Sequence, residues 1–240
     1  MDLSIIIPVY NEAENIKKAI EKIEKEVKTP HKTLIVYDFS KDSTVPVVQK
    51  LQKKFSNLIL VKNNIGSKKG VINAIKTGFN QVKKGAVVVT MADLSDDPKT
   101  IDKMFNKLTK GYDIVCGSRY AKGGEKIGGP IIKSLLSRLS GLLTPVILGI
   151  PTKDVTNAFK MYNKKVLTAI NIESKGGFEL SMEIVIKAHA KGFKITEVPT
   201  VWHDRTDGQS RFKLIAWLPK YIHWYFWGVK KRISAKFPSF

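Results

Sequence analysis

Three arginines, a few carboxylates and one lysine–serine pair stand where they could do chemistry. Asp38, Asp93 and Arg119 each follow a short apolar run. Carboxylates accept hydrogen bonds from hydroxyl and N–H groups and bind hard cations. Arg119, Arg205 and Arg211 carry guanidinium groups, which donate bidentately and suit phosphate oxygens. Lys133 and Ser137 are four apart, on one face of any helix that contains them. Each residue also has a plainer use. Asp38 suits a turn, Glu12 the first turn of a helix, and Tyr10 simple packing. Arg205 and Arg211 suit a solvated basic loop. Gly66-Ser-Lys-Lys-Gly70 has the wrong spacing for a phosphate-binding P-loop, and Lys68 and Lys69 read as surface charges.

The elements that must position these residues alternate. Residues 3–9, 33–37, 58–62, 86–91 and 112–116 are apolar runs of strand length. Between them, residues 11–27, 42–55, 69–82 and 98–108 have helical periodicity. Asn11 is expected to cap the first helix, and Asp96 and Asp97 the one after residue 98, with a place beside a metal as the alternative for Asp96. This alternation predicts an α/β fold with a mostly parallel sheet and helices on both faces. Ligands of such sheets bind beyond the carboxyl ends of the strands. Tyr10, Asn11, Asp38, Ala92, Asp93, Ser118 and Arg119 all fall there. Later, residues 130–148 read as an amphipathic helix interrupted at Gly141 and Pro145. Residues 164–170 and 179–191 read as helices and 194–198 as a strand. Residues 212–233 read as one or two helices hinged at Pro219.

Composition narrows the partners. The 240 residues are 43% apolar, enough for one large domain with its own core. A net charge of +20 makes a strong positive field and points to nucleic acid, phosphate-bearing small molecules or an anionic membrane. A nucleic-acid binder should interleave basic and base-stacking aromatic residues. The aromatics cluster in the C-terminal stretch instead, so no nucleic-acid partner is expected. Cys116, the single cysteine, excludes an internal disulfide and a cysteine-based zinc site, and reads as a buried thiol. The N-terminus has no signal-peptide pattern, which predicts a cytoplasmic protein. The longest uncharged stretch, residues 139–152, is too short and too rich in Pro and Gly to span a bilayer.

Several blocks of sequence resemble one family. Ser4-Ile-Ile-Ile-Pro8-Val-Tyr10-Asn11-Glu12 is similar to the opening of family-2 glycosyltransferases of the GT-A type. The likeness is particularly to the dolichyl-phosphate mannose synthase and polyprenyl-phosphate glycosyltransferase group. The resemblance continues at Val36-Tyr-Asp38-Phe-Ser40-Lys-Asp42-Ser-Thr44, Met91-Ala92-Asp93-Leu-Ser95-Asp-Asp-Pro98 and Gly117-Ser-Arg119-Tyr120. Asp154-Val-Thr-Asn-Ala-Phe-Lys160, Glu197-Val-Pro199 and Arg205-Thr-Asp-Gly208-Gln-Ser210-Arg211 complete it, in the family's order, over about residues 3 to 215. Two departures stand out. The family's Asp-Ala-Asp begins here with Met91, and the first of its paired acids after the second strand is Tyr37. Ser95 stands where relatives often have Gln. These changes predict a metal site poorer in ligands than usual.

The resemblance implies an inverting transfer of a hexose from GDP-mannose or a UDP-sugar to a polyprenyl or dolichyl phosphate. It places Pro8, Tyr10, Glu12, Asp38 and Ala92 on the nucleotide-sugar side. Asp93, with help from Ser95, would hold Mg²⁺ or Mn²⁺ at the diphosphate, where one or two carboxylates suffice. Arg119, Arg205 and Arg211 would clamp the phosphates, the last two on a closing loop with Gly208 as its bend. Lys133 and Ser137 match the acceptor-phosphate pair, and Asp154 an acid beside the reaction centre. Transfer to a sugar hydroxyl, with Asp154 as base, and a catalytically weak nucleotide-sugar-binding homologue are the alternatives.

Residues 1–211 are thus expected to form the catalytic domain and 212–240 an amphipathic membrane-interface segment. Leu214, Leu218, Ile222, Tyr225, Val229 and Ile233 fall on one helical stripe, accompanied by Trp217, Trp224 and Trp227. Lys230, Lys231, Arg232 and Lys236 follow, a composition that suits the headgroup layer. The same stripe would also suit packing on the protein core or on a partner subunit. Relatives often carry transmembrane helices beyond this point, so the expectation is peripheral docking at the cytoplasmic membrane face, oligomerisation or a membrane partner.

Overall fold

Strand β1 (Leu3–Val9) is buried along its whole length, as a strand in the middle of a doubly covered sheet must be. The computed structural model describes residues 1–66, 70–204 and 214–236. In it β1 pairs in parallel with β2 (His31–Tyr37) on one side and β4 (Ala86–Val89) on the other. β3 (Leu58–Lys62) extends the sheet beyond β2. Past β4 lie β7 (Lys160–Asn163), β5 (Ile114–Ser118) and β8 (Ile195–Pro199), giving the seven-strand order β3-β2-β1-β4-β7-β5-β8. Only β7 runs antiparallel to its neighbours in this sheet. The expected mostly parallel α/β sheet is therefore present.

Alternate residues of the central strands feed two cores. Leu3, Ile5 and Ile7 pack with Ile16 and Ile20 of α1 (Ala13–Glu26), Val48 of α2 (Thr44–Gln52) and Ile101 of α4 (Lys99–Thr109). Ile6, Val87 and Val89 pack on the other face. Their partners are Ile75 of α3 (Val71–Gln81), Val166 of α6 (Lys164–Ala169) and Ile184 of α7 (Glu179–Ala190). Cys116 is buried in β5 as expected, and burial pushes its thiol up to about 11.

β7 carries no sequence signature of a buried strand, because it opens on a lysine. Lys160 is nonetheless fully buried. Its Nζ donates to the carbonyls of Val155 and Asn157, closing the turn that feeds the strand. Burial lowers the pKa of this ammonium. Two three-residue strands also lay below sequence resolution: β6 (Glu125–Ile127) and β9 (Val201–His203), which pair in parallel beside the main sheet.

The helix expected over residues 130–148 is α5 (Ile131–Leu143) followed by a π-helical turn, Thr144–Leu148. Gly141 does not interrupt α5. It lets the helix press against the Lys153 carbonyl, where any Cβ would collide. The interruption comes at the π turn, which Gly149 ends in the left-handed region at φ 73°.

The C-terminal stretch is one helix, α8 (Leu214–Lys236), which continues through Pro219. Its tryptophans do not face outward as a lipid-facing set. Trp224 is 4% exposed, donates from Nε1 to Ser174 Oγ at 3.0 Å and belongs to the core beside α7. Trp227 packs on the same core, and Trp217 sets its ring edge-on to Phe178 at 5.6 Å. Tyr225 and Val229 of the α8 stripe pack on the core beside α7, which is buried along nearly its full length, while Ile222 and Ile233 stay 44% and 55% exposed. Among the described residues no helix is long and apolar enough to cross a membrane.

Candidate active site

The strand order reverses between β1 and β4, and a cleft of about 980 Å³ opens there at the carboxyl ends of the strands. Pro8 and Tyr10 come to it from the end of β1, Asp38 from β2, Asp93, Ser95 and Asp96 from the loop after β4, and Arg119 from β5. Glu12 completes this end of the lining.

The first two loops brace one another. The Asn11 backbone N–H donates to both carboxylate oxygens of buried Asp42, each at 3.1 Å, and the Glu12 N–H to Thr44 Oγ1 at 2.9 Å. Asn11 does not cap α1. Its φ of 54° is left-handed, which Asn tolerates, and its side-chain oxygen accepts from the Ser43 N–H. Tyr10 remains 44% exposed, edge-on to Phe39 with ring centroids 5.4 Å apart. Asp38 is buried and accepts from Asn63 Nδ2 at 2.7 Å, while Asn63 Oδ1 accepts from Thr77 Oγ1 at 2.8 Å. The carboxylate is thus aimed by a relay from β3 and α3 rather than left in a free turn.

After β4 the chain turns sharply at Leu94, whose φ is 59°. Asp93 is half-buried and accepts from the Ser95 N–H at 3.1 Å. Ala92 sits in the core, so its side chain does not line the cleft; only its backbone could serve a ligand. Asp96 is 7% exposed and lines the cleft. Burial, and then the neighbouring Asp93 charge, push its carboxyl up to about 7. It is not a cap of α4. That role falls to Asp97, whose Oδ1 accepts from the Lys99 N–H at 3.2 Å.

Arg119 is held by Asp154. Nε and Nη2 donate to Oδ2 and Oδ1 at 2.7 and 2.8 Å, and the Arg119 backbone N–H reaches Oδ2 at 3.0 Å. Burial works against the guanidinium charge, but Asp154 outweighs it and raises the pKa. Asp154 is fully buried and does not line the cleft. Both its oxygens accept from Arg119 and so fix the direction of the guanidinium. Arg119 also lies over the rings of Tyr120 and Trp202, at 5.3 and 5.9 Å, and Lys126 over Trp202 at 5.2 Å. Trp202, Lys126 and Asp204 line the cleft and went unread in the sequence, because the β6–β9 pair that delivers them is too short to see.

The cleft also has an apolar lining, from Leu136, Leu139 and Leu143 of α5 and from Leu218, Tyr221 and Ile222 of α8. Ser137 lines it too and bonds to the Tyr120 hydroxyl. The side chain of Lys133, and all of Arg205 and Arg211, lie outside the described residues.

An open, mostly parallel sheet with this carboxylate- and arginine-lined cleft at its strand ends is a GT-A-type α/β fold. The chain belongs to glycosyl transferase family 2, whose model matches residues 4–170. It is 32% identical over 218 residues to a dolichol-phosphate mannosyltransferase of Pyrococcus furiosus, covering 89% of this chain and 60% of that protein. It is 29% identical to the polyprenol monophosphomannose synthase of Mycolicibacterium smegmatis, covering 86% of this chain and 79% of that protein. Among solved structures it resembles glucosyl-3-phosphoglycerate synthase of Mycobacterium tuberculosis, crystallised with Mn²⁺, UDP and phosphoglyceric acid. That likeness has a TM-score of 0.70 at 15% identity, over 95% of this chain and 78% of that one, and it establishes the shared fold.

Proposed function

We propose that this family-2 glycosyltransferase moves a hexose from a nucleotide-sugar to a lipid phosphate at a membrane surface. One observation carries the reading: a single cleft has both a charged and an apolar lining. Asp38, Asp93, Asp96 and Arg119 suit a nucleoside diphosphate; leucines of α5 and α8 suit a polyprenyl chain. The names of the two curated relatives, both lipid-phosphate mannosyltransferases, support the same acceptor class.

The residues fit a divalent cation. Asp93 offers a carboxylate beside a half-buried turn, and buried Asp96 has an oxygen without a hydrogen-bond partner. Asp93 and Ser95 would hold Mg²⁺ or Mn²⁺, which neutralises charge on the departing diphosphate. The Mn²⁺ and UDP in the mycobacterial structure support this assignment. Tyr10 would stack on the base and Asp38 and Glu12 accept from the nucleoside. Arg119, pre-aimed by Asp154, would meet phosphate charge as it develops, joined by Arg205 and Arg211. A phosphate acceptor is already an anion and needs no strong base; Lys133 and Ser137 would hold it. That suits a site whose buried Asp154 is tied to Arg119, and it disfavours a sugar hydroxyl activated by Asp154.

The test is to incubate the protein with radiolabelled GDP- and UDP-sugars, a polyprenyl phosphate and Mg²⁺ or Mn²⁺. Label should enter the organic phase, and Asp93→Ala should abolish transfer with the fold intact. Label found only in a water-soluble saccharide would overturn the acceptor class, and full activity of Asp93→Ala with excess chelator the metal role.

A further inference from the structure

We propose that Asp96 supplies the second carboxylate of the divalent-cation site, beside Asp93. The inference rests on the donor-side reading above but not on the acceptor.

Asp96 is 7% exposed, yet its Oδ1 has no hydrogen-bond partner and its Oδ2 receives only a long bond of 3.3 Å from Thr90 Oγ1. A buried carboxylate oxygen left unpaired is costly unless a cation meets it. Asp96 lines the cleft, as Asp93 does. Among the described residues no cation is hydrogen-bonded to it. Arg119, which lines the same cleft, directs Nε and Nη2 at Asp154. Nor is Asp96 needed for α4, which Asp97 serves.

The backbone sets the pair. Leu94, a branched residue at φ 59°, reverses the chain so that Asp93 and Asp96 both reach the cleft. The Ser95 carbonyl accepts from the His203 N–H at 2.9 Å, and Asp96 bridges to Trp202, so β9 holds the segment in place. Met91 cannot take the part. Its side chain lines the cleft as well as packing on the core, but a thioether is a poor ligand for a hard cation. Two carboxylates with diphosphate oxygens and water are a sufficient set for Mg²⁺ or Mn²⁺.

The test is Mn²⁺ titration by EPR with UDP or GDP present, on the wild type, Asp96→Asn, Asp97→Asn and the double variant Met91→Asp/Asp96→Asn. Asp96→Asn should weaken Mn²⁺ binding by roughly 10-fold or more, while its metal-free Tm stays level or rises, because a buried unpaired charge is gone. Asp97→Asn should bind as the wild type does, and Met91→Asp should restore affinity in the double variant. Mn²⁺ affinity unchanged in Asp96→Asn overturns the proposal, as does a variant that melts well below the wild type or does not fold, which would make Asp96 structural. A wild type that binds no Mn²⁺ with either nucleotide overturns it too. Failure of lipid-phosphate transfer with these metal results intact would instead strike the acceptor reading alone.

Discussion

Arg119 and Asp154 are the most tightly coupled side chains of the site. Breaking a buried ion pair from one side leaves an uncompensated charge, at a cost of about 3–5 kcal/mol. Asp154→Ala is therefore expected to lose about that much stability by urea denaturation. Asp154→Asn, which keeps the shape and one acceptor, should lose less. If Asp154 acts through Arg119, both variants lower kcat without changing the pH profile of transfer. A lost acidic limb in that profile would make Asp154 a proton acceptor after all. Arg119→Lys should not substitute, because an ammonium cannot make the two parallel bonds.

Two elements carry predictions of opposite sign to their surface appearance. In α8, Trp224 and Phe226 are two residues apart and equally aromatic. Trp224 is 4% exposed and Phe226 70%. Trp224→Ala should cost about 3–5 kcal/mol in denaturant, as large-to-small core changes do, and Phe226→Ala less than about 0.5 kcal/mol. Equal small losses would mean that α8 is not anchored in the core. In α4, Asp102 ties down the turn between α1 and β2. It accepts from the Lys28 N–H, the Thr29 N–H and the Thr29 hydroxyl at 2.9, 3.0 and 2.7 Å. Burial works to raise its pKa, but these bonds outweigh it and leave it below the ordinary aspartate value. A depressed carboxylate stabilises the fold above its unfolded pKa and loses that contribution as pH falls through the folded one. Asp102→Ala should therefore cost about 1–3 kcal/mol at neutral pH. The gap to the wild type should close on acidification through the carboxylate range; a gap that widens instead would contradict this account.

On the scale of the whole molecule, the most exposed apolar side chains among the described residues cluster on α5 and the π turn after it rather than on the tryptophans of α8. Ile131, Ile132 and Leu135 of α5 and Val146 of the turn are 85%, 68%, 66% and 74% exposed. They neighbour α5 residues that line the cleft, and the whole chain carries a net charge of +20. A positively charged body with one apolar helix face suits an anionic bilayer. The protein should bind liposomes containing phosphatidylserine, less so as salt rises. Ile132→Asp with Leu135→Asp should weaken that binding several-fold with the fold unchanged by circular dichroism. Polar replacement of Trp224 should unfold the protein rather than release it. Full liposome binding by the α5 double variant would place the membrane contact elsewhere.

The strand–helix alternation and the loops that carry Tyr10, Asp38, Asp93 and Arg119 were legible in the sequence because their causes are local. A parallel strand buried on both faces is a continuous apolar run, and the loop after it lies at the strand's carboxyl end. The family resemblance then pointed to the ends of β1, β2, β4 and β5, which the fold brings together. Other features depend on partners distant in the chain. Lys160 could enter a buried strand only because carbonyls of its own preceding turn meet its ammonium. The β6–β9 pair, with Trp202, is three residues per strand and has no periodicity to read. Asp96 looked like a helix cap until Asp97 proved to hold that place and the Leu94 turn carried Asp96 to the cleft. The apolar stripes of α5 and α8 look alike in sequence, since hydrophobicity states that a face avoids water and not what covers it. Only packing decided that α7 covers α8 and that much of α5 remains exposed.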